Sequence, residues 1–152
     1  MEVFKNLINV HLLYEVQKDA LQRAKGYINL SLILCILEYV EIASMKKWKR
    51  LMKEIYDCPR DIPLFDITIQ GVEYILAGMG MEELVEVLTK DYWDNPVKDT
   101  MRFEKYMGIL GVLMIKEEFP MARAQQILLK QMVLRNQIVW KEEEWIDNGR
   151  WL

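Results

Sequence analysis

The chain reads as an all-α fold of about six helices, with a long N-terminal helical pair packed on two tandem helical hairpins. Three observations predict it. Between scattered Gly and Pro positions the sequence is dominated by Leu, Ile, Met, Glu, Lys and Gln, which are mostly good helix formers, and few stretches alternate as strands do. Apolar residues such as Val3, Leu7, Val10, Tyr14 and Leu21 recur at spacings that share one helical face. The third observation is an internal echo: Gly71-Val72-x-x-Ile75 with Met81, Leu88 and Lys90 returns forty residues later as Gly111-Val112-x-x-Ile115 with Met121, Leu128 and Lys130. A repeat of that length is one supersecondary unit, whose apolar face must be buried against a neighbour.

Taken in order, a first helix is expected over residues 2–24, ended by Gly26. A second, over 27–56, begins apolar and turns basic at Lys46-Lys47-Trp48-Lys49-Arg50-Leu51-Met52-Lys53. The segment Asp57-Cys58-Pro59-Arg60-Asp61-Ile62-Pro63 then breaks the helix, because each Pro removes a backbone donor and biases the preceding residue away from α. A third helix over 64–77 ends at Gly78-Met79-Gly80, a left-handed cap and turn, and a fourth starts at Met81 with Glu82 and Glu83 suited to its positive end. Tyr92-Trp93-Asp94-Asn95-Pro96 closes that unit. A fifth helix spans 97–118, with Gly108 or Gly111 as places to bend, and Pro120 suits the first turn of a sixth that reaches Trp140. Residues 140–152 form a Trp-rich acidic tail, so the whole chain is one domain: the pair over 1–56, two similar hairpins over 64–139, and the tail.

With 152 residues the chain can bury a sizeable core, and its net charge of −3 marks neither a bulk nucleic-acid binder nor a disordered acidic chain. Cys35 and Cys58 stand in no metal-binding or redox spacing and read as reduced thiols of a cytoplasmic protein. The start lacks the basic and apolar regions of a secretory leader. The most apolar stretch, 27–43, carries Asn29, Glu38 and Glu41 and is too short to cross a bilayer; it reads as a buried core helix. The ten methionines either fill core gaps or serve an adaptable contact surface.

No reaction is announced by any cluster. His11, the one histidine, lies between Val10 and Leu12 on an apolar-periodic helix and has no nucleophile beside it in sequence. Glu82, Glu83 and Glu86, like Glu142, Glu143 and Glu144, are acids without a histidine partner at spacings usual on solvated helix faces, so no metal or other cofactor is expected. Gly78-Met79-Gly80 follows a helix and precedes acids, the reverse of what a phosphate loop needs. Catalysis would require carboxylates gathered by folding into a polar cleft.

Two surfaces remain. Lys46, Lys47, Lys49, Arg50 and Lys53 with Trp48 form a basic patch, read either as cations complementing a helix C-terminus or as a seat for nucleic-acid phosphates or an acidic protein face. Trp140, Trp145 and Trp151, interleaved with acids, are expected to pack on the domain or on another subunit. Meeting between chains, the acidic tail and the basic patch would make a homodimer.

At Leu64-Phe65, Gly71, Ile75, Gly78, Leu84 and Leu88, and again at Gly111, Ile115, Pro120, Ile127 and Leu128, the sequence resembles the cytosolic helices of MotA-type flagellar stator subunits. The resemblance covers residues 64–130. Here the two cytosolic phrases are joined directly, without the family's four membrane helices, and the second is one residue shorter between Ile115 and Pro120. It therefore implies a relative or docking partner in a motility setting, with no proton conduction. The expected function is a non-catalytic protein–protein interaction or assembly module, such as a motility-related adaptor. The alternative is a small nucleic-acid-binding regulator that uses the 46–53 patch.

Overall fold

The computed structural model describes Phe4, residues 6–23 and residues 29–146, with side-chain surroundings given up to Asn136. These residues form seven helices and no strand: α1 (Val10–Arg23), α2 (Leu30–Ser44), α3 (Trp48–Tyr56), α4 (Pro63–Leu76), α5 (Met81–Asp94), α6 (Asp99–Lys116) and α7 (Met121–Ile146). Among them no helix is long and apolar enough to cross a membrane.

The seventh helix arises because the expected helix over 27–56 is two. Lys46 takes a left-handed φ of 58°, the Lys46 N–H donates to the Ala43 carbonyl at 2.9 Å and the Lys47 N–H to Ile42 at 3.3 Å, which ends α2 and lets α3 start afresh. The same turn follows α4, at Gly78 with φ 92°, and α6, at Glu118 with φ 52°. In the last two the hydrogen bonds correspond position by position, Met79 to Tyr74 and Phe119 to Met114, so the forty-residue echo recurs in turn geometry.

The first helix also starts later than residue 2, and the reason lies far along the chain. The backbone N–H groups of Ile8 and Asn9 donate to the Glu82 carboxylate at 3.0 and 3.4 Å, and the Asn9 amide donates to the Glu82 carbonyl at 2.6 Å. The segment before α1 is thus fastened to the start of α5 instead of continuing the helix. Phe4, buried, stacks on Phe119 with ring centres 5.9 Å apart.

At the centre lies α6, every residue from Lys105 to Ile115 buried, packed against α4, α2, α1, α5 and α7. A helix apolar on all sides belongs in such a place. It runs unbroken through both glycines, which serve close approach: a Cβ at Gly108 would sit 2.6 Å from Ile67 and 3.1 Å from the Leu64 carbonyl of α4, and one at Gly111 would sit 2.7 Å from Ile36 of α2. Helix α7 continues to Ile146, past the expected end at Trp140.

Candidate functional site

Splitting the second helix changes what the basic patch means. Lys46 follows the end of α2 and Lys53 lies in the last turn of α3, where cations complement the negative end of a helix dipole, while Lys47 caps the start of α3 as its backbone N–H closes α2. Lys49 and Arg50 instead stand in the first turn of α3, at its positive end, so the expectation that all five cations serve a single helix C-terminus is corrected for these two. All five side chains are exposed, and none takes part in an ion pair with another described residue. Trp48 is half-buried and packs against the core beside buried Leu51 and Ile55, which anchors α3 and leaves less of the ring for stacking. Trp140 and Trp145 fall on the α7 backbone, but their side chains, and Trp151 altogether, lie outside the described residues.

A second feature, invisible as a motif, is an acid-lined cleft of about 650 Å³ where α4, the end of α5 and α6 converge. Asp61, Asp66, Asp91 and Asp94 line it with Arg60 and Lys105. Carboxylates are therefore gathered by folding. Two of them, Asp66 and Asp91, are held by structural partners. Buried Lys105 donates to the Asp91 carboxylate at 3.0 Å and to the carbonyls of Asp91 and Asn95 at 3.2 and 3.0 Å, using its three donors to close the C-terminus of α5. Asp66 receives Arg60 at 3.1 Å and Gln70 at 2.8 Å.

Two further polar sites tie helices together. Asp19 of α1 accepts from Tyr92 of α5 at 2.5 Å, Arg102 of α6 at 2.9 Å and Arg23 at 2.6 Å. Burial pushes its carboxyl up, but the hydrogen bonds from Tyr92, Arg23 and Arg102 outweigh burial and hold it below the ordinary aspartate value. In the core, Gln131 Oε1 accepts from Gln17 at 2.6 Å and from Tyr106 at 2.7 Å, joining α7 to α1 and α6. The two cysteines flank Tyr39, whose hydroxyl lies 2.9 Å from Cys58 Sγ; burial raises the Cys35 thiol and keeps it protonated at neutral pH, a poor nucleophile.

An apolar groove of about 370 Å³ lies between α2 and α7, walled by Ile33, Leu34 and Leu37 on one side and Leu128, Leu129 and Met132 on the other. Along it Leu30 is 57% exposed, Leu34 63% and Leu129 58%. The reading of 27–43 as a buried core helix holds for one side of α2, buried at Leu32, Ile36, Val40 and Ala43, and not for the other, where Leu30 and Leu34 stand in water. Comparison of the chain with protein-family models, with characterised proteins and with solved structures gave no match.

Proposed function

We propose that this chain is a non-catalytic assembly module that associates with protein through the outer face of α2 and α7. One observation carries the reading: three leucines, Leu30, Leu34 and Leu129, each more than half exposed, line one groove between two adjacent helices. Single exposed leucines are ordinary on protein surfaces, whereas a contiguous run is a contact surface in search of a partner. Each fully buried aliphatic side chain contributes about 1.5–3 kcal/mol, enough for a small patch to drive association. In the acid-lined cleft Asp66, Asp91 and Lys105 are committed to internal hydrogen bonds, which leaves Asp61 and Asp94 as its other acids.

Tagged protein mixed with lysate of its source, with and without nuclease, tests this. Wild type retains a discrete protein that survives nuclease, and Leu34→Glu loses it while circular dichroism stays helical. If Leu34→Glu retains the same protein, association through this face is wrong. A motility component among the retained proteins would support the setting that the stator resemblance implies.

A second reading rests on Lys49 and Arg50, which crowd positive charge at the wrong end of α3 for the helix dipole. Nucleic-acid phosphate would offset that cost. Nuclease-sensitive retention, lost on Lys49→Glu with Arg50→Glu and falling steeply with salt, would favour this regulator over the assembly module.

A further inference from the structure

We propose that the groove between α2 and α7 seats a second copy of this chain, in a two-fold dimer that lays α2 of each protomer on α7 of the other. The inference rests on the association reading above and names its partner.

A two-fold interface brings one patch against itself, so the patch must be self-complementary in shape and in charge. Shape is met by a groove whose two walls each carry a projecting leucine, Leu34 on α2 and Leu129 on α7, 63% and 58% exposed. Burying each of these in the partner's groove removes both from water.

Charge then selects the arrangement. The charged residues of α2 are Glu38 and Glu41, both exposed acids. Over residues 121–136, α7 carries only bases: the exposed Arg123 and Lys130, and Arg135, buried on the inner side. A two-fold axis across the groove would stack α2 on α2, acids on acids, and α7 on α7, bases on bases. An axis along the groove places each acidic α2 over a basic α7, twice per dimer. Like charges across an interface are costly and opposite ones fix register, so the second arrangement is the stable one.

Sedimentation velocity on the purified full chain, over about 1–100 µM, tests the proposal. Wild type sediments at twice the chain mass at the upper end, and Leu34→Glu as a monomer throughout. Glu38→Lys with Glu41→Lys, and separately Arg123→Glu with Lys130→Glu, each weaken self-association by about tenfold or more. Mixed in equal amounts, these two variants recover wild-type affinity as a one-to-one heterodimer, because every α2 then again faces an α7 of opposite sign. Circular dichroism checks that all variants keep their helical content. A wild type that stays monomeric overturns the second-copy inference, and if lysate capture still depends on Leu34 the association reading survives with a foreign partner. Recovery of neither variant by mixing, or a dimer indifferent to Leu34→Glu, also overturns the inference.

Discussion

At the scale of single residues, the polar side chains that hold this molecule together are those whose partners lie far along the chain. Asp19 gathers Tyr92 and Arg102 from two other helices and is held below its ordinary value despite burial. A carboxylate depressed by folding stabilises at pH above its unfolded value, about 3.9, and that stability is lost as pH falls through the lower folded value. Asp19→Asn is therefore expected to cost about 1–3 kcal/mol at pH 7. The gap between variant and wild type should shrink steadily in urea melts below about pH 4, where the native carboxylate protonates; a gap independent of pH would show that the charge contributes nothing. None of this is legible from local spacing, since Asp19 reads as one more polar position on an amphipathic helix. Glu82 was partly legible: it does occupy the first turn of α5, as expected for its sign, yet its carboxylate also receives the amides of Ile8 and Asn9. Lys105 and Gln131, which close α5 and link three helices, were equally silent in the sequence.

At the scale of helices, periodicity and punctuation were informative where glycine or proline marked a boundary. The break at Pro59 and Pro63, the turn at Gly78-Met79-Gly80 and the start of α5 at Met81 all lie where those signals put them. The end of α2 was missed because its left-handed residue is Lys46, and a lysine advertises no such conformation. Glu118 hides the matching turn after α6 in the same way, where the first phrase of the echo has Gly78. Side chains with a Cβ bear about 1–2 kcal/mol in that conformation, part of which glycine returns through its freer unfolded chain. Glu118→Gly should therefore raise stability by about 0.5–1 kcal/mol, read as a higher thermal midpoint. A lower midpoint would mean that the Glu118 side chain contributes more than its backbone costs.

At the scale of the whole molecule, the all-helical class was plain in the composition, and which apolar helix is central was not. Two segments, 27–43 and 103–115, are apolar nearly all round, but only one helix can be enclosed on every side by the others. That place goes to α6, whose Gly108 and Gly111 let α4 and α2 come close, and α2 is left half outside with Leu30 and Leu34 in water. A hydrophobic sum cannot distinguish the two cases, because it counts apolar residues without their neighbours. The groove between α2 and α7 follows from that displacement, and the proposed association follows from the groove.

The most direct test of self-association through that groove is methyl NMR of the protein at rising concentration, with Leu, Ile and Val methyls assigned. The account predicts concentration-dependent shifts at Leu30, Leu34 and Leu129, with the core methyls of Leu110 and Val112 unmoved. Shifts that are absent from the α2 and α7 face, or confined to residues beside Lys46 to Lys53, would contradict it.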